Sequence, residues 1–426
     1  MKPVDLIQVA LWGEDVGAVA WDPGRGAFAF EYDPRWESRG VELSPIEMPA
    51  GGAHQVFVFP ALARETFHGL PGLLADALPD RFGNALIDAW MAGRGIRPES
   101  VSALDRLAYM GRRGMGALEF RPARGAHAES AEAIVMARLV ETARHALAGS
   151  LATARDAQAA LRDIIRVGTS AGGARPKAVI AYNPRTREIR SGQFEVPEGF
   201  EHWLLKFDGL GNGPDLGPGR AYGRIEYACH RMALRAGIVM SPCALLEENG
   251  RAHFMTRRFD RTGNVRHHLH SLCGIAHLDF NQRETHGYAQ LFQVIHRLGL
   301  GDDALMEAFR RMAFNVVLQN CDDHTKNHAF LLRRGGRWEL APAYDIAHAH
   351  NPASVWLRSH LLGVNGKFDG ITRADLLAVG ERFRVPGGAR LLDEVLAAAE
   401  GWEACAAEAG LDAASTAAIR ADLLRP

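Results

Sequence analysis

The 426-residue sequence contains no apolar run approaching the roughly 18 residues that a bilayer-spanning helix requires, so no membrane role is expected. Cysteine is scarce: five residues, at positions 229, 243, 273, 321 and 405, with no CxxC pair. That pattern excludes a disulfide framework and a cysteine-based zinc knuckle, and fits a reducing compartment. Charge of either sign is not in excess. The 49 Lys and Arg residues nearly cancel the 50 Asp and Glu, so bulk charge does not advertise nucleic-acid binding, and a local patch or a partner is the remaining route to DNA. Internal repeats are absent, and the only compositional bias is alanine in the helical stretches. The opening stretch MKPVDLIQVALWGEDVG has one Lys and is broken by Asp5 and Glu14, unlike a secretory leader. A cytoplasmic location is expected. Apolar and charged contents of 47% and 23% are those of an ordinary soluble chain, with length enough for two or three domains.

The most informative stretch is Asn320-Cys321-Asp322-Asp323-His324-Thr325-Lys326-Asn327. Asp322 precedes Asn327 by five residues. That is the spacing of the kinase catalytic loop, where an Asp accepts the hydroxyl proton and an Asn holds Mg²⁺. Taken alone, the octet reads equally well as a solvated polar loop. The context tips the balance: His328 to Leu332 is strand-like, Arg334-Gly335-Gly336 is a turn signal, and Trp338 to Ala341 is a second strand. This hairpin ends on Ala343-Tyr344-Asp345 and so delivers a further carboxylate just past a strand end.

Upstream, Val167 to Lys177 forms a glycine-rich stretch after an Ala-rich helical region over 126–166, and a strand from Ala178 to Tyr182 follows it. Ser170, Ala171, Gly172, Gly173, Ala174 and Lys177 could cradle phosphate through backbone N–H groups and charge. The loop is no Walker motif, and by itself it reads equally as a plain turn. In His202-Trp203-Leu204-Leu205-Lys206-Phe207, alternation places Lys206 opposite the apolar face. A lone strand-end Lys is ordinarily a snorkelling surface residue; thirty residues after a glycine loop, it is also where a kinase keeps its phosphate-gripping Lys. Glu226, on a helix expected from Tyr222 to Gly237, could orient Lys206, with a solvated Glu slightly favoured. Arg257 and Phe259 lie in a segment that reads as a crossing between lobes, whose backbone could meet an adenine edge. His267, His268, His270 and His277 lack metal-ligand spacing and are taken as non-metal residues. The pattern from Tyr288 to Val317 is helical throughout, and residues from Arg373 onward are mostly amphipathic helix.

Together, these motifs resemble the HipA family of serine/threonine kinases, the toxins of type II toxin–antitoxin pairs. The resemblance spans nearly the whole chain: LPDRFGNALIDAW and LDRLAYMGRRGMGALEF, then TSAGGARPKA, HWLLKF, RIEY and RRFDR, then NCDDHTKNHAFLL and LAPAYDI. It implies a mixed α/β, two-lobed kinase-like fold with a β-rich N-terminal lobe and a helical C-terminal lobe. The expected division is an N-terminal module over 1–125, a nucleotide lobe over 126–260 and a catalytic lobe over 261–426. By resemblance, Asp322 is the base, with His324 and Lys326 beside it. Asn327 and Asp345 bind Mg²⁺, Lys206 and the Ser170–Lys177 loop bind ATP, and Ser170, with Thr169 as neighbour, is the autophosphorylation site. The resemblance further implies a HipB-like helix-turn-helix antitoxin, operator DNA reached mainly through it, and a translation component such as an aminoacyl-tRNA synthetase as substrate. Two other readings stay open: a catalytically weak co-repressor or scaffold bound to an antitoxin on DNA, and a small-molecule kinase.

Overall fold

A computed structural model describes residues 3–51, 55–79, 81–124, 136, 139–141, 143, 176–209 and 221–426. The chain divides into two compact units. The first comprises Met1–Leu210, Met255–His270 and Leu331–Gly336; the second comprises Gly211–Phe254, Ser271–Phe330 and Arg337–Pro426. Among the described residues, no helix is long and apolar enough to cross a membrane.

The first unit opens with an antiparallel sheet in the order β4-β3-β2-β1-β5, from β1 (Leu6–Leu11), β2 (Glu14–Asp22), β3 (Ala27–Tyr32), β4 (Val56–Val58) and β5 (Leu118–Arg121). Trp12 and Gly13 both have positive φ (54° and 86°), the geometry of a two-residue turn that matches strand twist, and Leu11 pairs with Glu14 across it. Short apolar stretches of the sequence at 6–11, 27–30 and 55–59 fall on β1, β3 and β4. The second strand, β2, was not anticipated. Its start, Glu14-Asp15-Val16-Gly17, lacks apolar alternation, yet Gly17 is required there, because a Cβ would lie 2.2 Å from the Glu31 carbonyl oxygen. Further along, β6 (Lys177–Tyr182) pairs antiparallel with β7 (Ile189–Ser191) and with β8 (Glu201–Lys206).

A buried charged cluster ties two parts of this unit together. Asp260 is fully buried and accepts from Arg258 Nε (2.9 Å) and Nη2 (2.7 Å), Arg261 Nη1 (2.8 Å) and the Gly116 N–H (2.7 Å). Arg261 also donates to the Gly116 carbonyl (2.9 Å), and Arg266 reaches the Leu118 carbonyl (3.2 Å) and Glu119 (3.5 Å). Burial raises the Asp260 pKa, but the two arginines overcome it and hold the carboxyl well below the usual range. The Arg-Arg-Phe-Asp-Arg run thus serves the N-terminal module through its side chains. The four histidines also have protein partners. His267 bonds Thr262, His268 bonds the Leu43 carbonyl, and His270 bonds Asp76 and Ser44, while His277 has a positive φ of 51°.

The second unit is mainly helical. The expected single helix from Tyr288 to Val317 is instead two, Tyr288–Arg297 and Asp302–Leu318. Gly299 takes φ +64° and Gly301 caps the second helix, whose first turn carries Asp302 and Asp303 against the helix dipole. Leu305, Phe309, Met312 and Val316 form its buried face. Phe309 packs where a Cβ on Gly380 would approach to 2.9 Å, which is why the helix Arg373–Arg382 carries glycine there. The last helices, Gly388–Glu400, Trp402–Glu408 and Ala413–Asp422, confirm the helical C-terminal pattern.

Two outcomes are expected. Asp260→Ala leaves buried guanidinium groups uncompensated and should cost about 3–5 kcal/mol in urea unfolding. His268 is held neutral, its pKa pushed down to about 3, chiefly by burial and then by His270. The unfolded chain binds the extra proton below about 6.5, so stability should be full above that value and fall towards pH 3. His268→Gln should flatten that fall in unfolding midpoints measured across pH.

Candidate active site

The candidate catalytic octet, residues 320–327, lies wholly in the second unit, and its shape follows from how the preceding helix ends. Asp302–Leu318 stops at Gln319, in the left-handed conformation (φ 57°), and Asn320 donates back to the Asn315 carbonyl at 2.9 Å. Cys321 N–H then reaches the Ala349 carbonyl (3.3 Å). The next two residues part ways: Asp322 is exposed and Asp323 is completely buried. The Asp322 carbonyl accepts from the His324 N–H (2.9 Å) and from Asn327 Nδ2 (2.8 Å), closing the loop over a single turn of 3₁₀ helix, Thr325–Asn327. The five-residue spacing therefore has a direct structural meaning: it lets the Asn side chain bond the Asp backbone.

Two further contacts steady the loop from one side. Thr325 Oγ1 donates to the Leu278 carbonyl (2.9 Å), and Lys326 Nζ lies 4.6 Å from the centre of the Phe280 ring, with the His324 ring 5.4 Å from it. His324 and Lys326, expected beside the base, are thus gathered on one aromatic ring. Phe280 carried no sequence signal.

The candidate metal ligands are linked through their neighbours. Tyr344 donates its hydroxyl to the Lys326 carbonyl at 2.6 Å, joining the residue before Asp345 to the residue before Asn327. Asp345 itself has φ +53°, a conformation that Asp tolerates better than most residues and that commonly marks functional positions. Downstream of the loop, Ala329–Leu332 and Trp338–Leu340 are the expected strands, and Ala341 N–H bonds the Ala329 carbonyl at 2.9 Å. The donor chemistry suits Mg²⁺. Asn327 spends its amide N–H inward, which leaves Oδ1 as its coordinating atom, and Asp345 adds a carboxylate; both are hard oxygen ligands.

Sequence reasoning passed over Asp323, Tyr288 and His360. Asp323 accepts from the Tyr288 hydroxyl (2.8 Å), His360 Nδ1 (3.1 Å) and the N–H groups of Leu361 (2.8 Å) and Leu362 (3.3 Å). Burial raises its pKa, while His360 and the other donors outweigh that and hold the carboxyl below its ordinary value. Nothing local distinguishes Asp323 from Asp322, since the difference lies in segments remote in sequence.

The first unit carries the candidate nucleotide residues. Ser170, Ala171, Gly172, Gly173 and Ala174 lie outside the described residues. Lys177 and Lys206 are Cα partners across β6 and β8, hence on one face of the ladder, and they are 3% and 8% exposed. That burial overturns the reading of Lys206 as a snorkelling surface residue. Like charges placed opposite each other are unfavourable by themselves, so the pair needs compensating groups nearby. Glu226 is 7% exposed on the helix Tyr222–Arg235, so the solvated Glu favoured from sequence is not what the fold makes of it. Arg257 turns its side chain to Glu201 (3.1 Å), and half-buried Phe259 follows Arg258, whose N–H is taken by the His202 carbonyl at 2.9 Å.

Comparison with known proteins bears on the family and the fold. The model of the HipA N-terminal domain matches residues 7–121, and that of the HipA-like C-terminal domain matches residues 169–403. A solved structure of HipA from Shewanella oneidensis MR-1, in complex with HipB and operator DNA, is similar with a TM-score of 0.66 and 17% identity. The match covers 98% of this chain and 94% of that one. The Helicobacter pylori proinflammatory kinase CtkA matches with a TM-score of 0.33 and 12% identity, over 49% of this chain and 90% of its own. No curated protein matches the sequence. The mixed α/β fold expected from the sequence stands, and it is shared with the Shewanella HipA structure. Tyr344→Phe removes the hydrogen bond to the Lys326 carbonyl and should cost about 1 kcal/mol in urea unfolding, with helix content by circular dichroism unchanged.

Proposed function

Because the chain belongs to the HipA family, we propose that it is an ATP- and Mg²⁺-dependent serine/threonine protein kinase, the toxin of a toxin–antitoxin pair. The observation that carries this reading is the closed loop in which Asn327 bonds the Asp322 backbone, one exposed carboxylate beside one oriented carboxamide. Asp322 accepts the proton of the acceptor hydroxyl as its oxygen attacks the γ-phosphorus and the bond to the ADP oxygen breaks. Asn327 and Asp345 hold Mg²⁺, which neutralises charge on the triphosphate when bound. Lys177 and Lys206, buried on one ladder face, supply positive charge for the phosphates under the Ser170–Ala174 loop. Glu226 is assigned a supporting role, and the backbone near Arg257 and Phe259 borders the adenine. His324 and Lys326 line the loop beside the base.

Regulation and partners follow the same reading. Autophosphorylation at Ser170 places a dianion on the phosphate-binding loop and turns the enzyme off. The Shewanella complex contains HipB and operator DNA; by likeness, a small helix-turn-helix antitoxin binds this chain and carries it to DNA. The substrate is a translation component, of which an aminoacyl-tRNA synthetase is the type, in the cytoplasm.

Incubation with Mg²⁺ and radiolabelled ATP tests the reading. Wild type should incorporate label and Asp322→Ala should lose about 10²–10⁴-fold in rate, the usual contribution of a general base. Ser170→Ala should lose self-labelling while still phosphorylating an added acceptor protein. Chelation of Mg²⁺ should abolish transfer. Undiminished labelling of Asp322→Ala would remove that residue from the mechanism.

A further inference from the structure

The exposed carboxylate of Asp322 stands next to a carboxylate with the opposite environment, and the second one explains how the first is held. Asp323 has no access to solvent, and both its oxygens are occupied. Oδ2 accepts from the Tyr288 hydroxyl and His360, and Oδ1 accepts from the backbone of Leu361 and Leu362. The four donors come from two places in the chain, the start of the helix Tyr288–Arg297 and the consecutive residues His360, Leu361 and Leu362. The Tyr288 hydroxyl in turn accepts from Asn315 Nδ2 (2.8 Å), and Asn315 Oδ1 accepts from Asn320 Nδ2 (3.0 Å). Donation thus runs one way, from Asn320 through Asn315 and Tyr288, and it must end on a group that only accepts. An ionised carboxylate is such a group; an amide or hydroxyl is not.

The backbone repeats the connection. Tyr288 N–H bonds the Gly363 carbonyl, and Gly363 N–H bonds the His286 carbonyl, each at 2.9 Å. Gly287 permits this approach, since a Cβ there would lie 2.7 Å from the Gly363 oxygen. The helix start, the stretch 360–363 and the catalytic loop are therefore tied at both side-chain and backbone level, with Asp323 as the common point.

We propose that Asp323 is the positioning residue of the site: its buried carboxylate locks the catalytic loop to the segment Ser359–Leu362 and thereby fixes the placement of Asp322. The proposal rests on the reading of Asp322 as the base. A misplacement of about 1 Å can cost roughly 10²-fold in rate, so loosening the anchor should act on kcat. ATP binding, which the proposed site assigns to other residues, should be nearly unaffected.

Two independent readouts test this on the full-length chain. Hydrogen–deuterium exchange is compared for wild type, Tyr288→Phe, Asp323→Asn and Asp322→Ala, and kcat and KM for ATP are measured with Mg²⁺ and an added acceptor protein. Tyr288→Phe keeps the ring and removes one donor. It should raise exchange about tenfold in peptides covering both 321–328 and 359–364. It should also lower kcat by about 10-fold with KM for ATP within about twofold. Asp323→Asn should do the same more strongly. Asp322→Ala should lose activity while exchanging like wild type. If folded Tyr288→Phe keeps wild-type kcat and exchange and only melts earlier, the network is merely structural and the proposal fails. Loosening confined to one of the two segments also overturns it. Full activity in Asp322→Ala would instead overturn the base assignment, and the exchange pattern would still decide whether Asp323 joins the two segments.

Discussion

A carboxylate sealed from water persists as an anion only if hydrogen-bond donors replace the water it has lost. The second unit depends on one such group. Asp323 draws its donors from Tyr288, His360 and two backbone N–H groups. Satisfying it forces a helix start, an irregular stretch and the candidate catalytic loop into fixed relation. Regular secondary structure could not do this, because the stretch from Ser354 to Gly366 contains neither helix nor strand. An irregular segment has no ladder of its own to absorb its N–H groups, and a buried anion takes two of them at once.

The first unit uses the same device for a different purpose. Asp260 is equally buried and is satisfied by two arginines and the N–H of Gly116. Here the tie joins the Met255–His270 segment to the sheet of the N-terminal module, 144 residues away in sequence. Its arginines also reach the carbonyls of Gly116 and Leu118, so the cluster satisfies backbone as well as charge. In both units the anion is small, dehydrated and multiply bonded. Loss of one donor leaves the anion short of a partner that water cannot replace, which makes such clusters costly to disturb.

The elements that the sequence revealed are those whose cause is local. The loosely alternating stretch 6–11 and the strand-like stretch 27–30 lie in strands, and the hairpin after the candidate catalytic loop is flagged by Arg334-Gly335-Gly336, with Gly335 at φ +72°. Asp322 and Asn327 were found by spacing, and that spacing is itself local chemistry, one side chain bonding a carbonyl five residues back. β2 was missed because its pattern is set by its neighbours, Gly17 being demanded by the Glu31 carbonyl. The helix from Tyr288 was drawn too long because the apolar period continues across Gly299 and Gly301, where backbone conformation, not pattern, ends it.

The sequence by itself determined the class of chain and the family, and it nominated the candidate base and metal ligands through spacing and residue type. Burial was decided only by tertiary structure. Asp322 and Asp323 are chemically identical neighbours, yet one is left in water and the other is enclosed by Tyr288 and His360. Lys206 and Glu226, which read as surface residues on ordinary grounds, are both enclosed. The reason is physical: a residue's type fixes what it can bond, but the solvent it loses and the donors it gains come from segments far away in the chain.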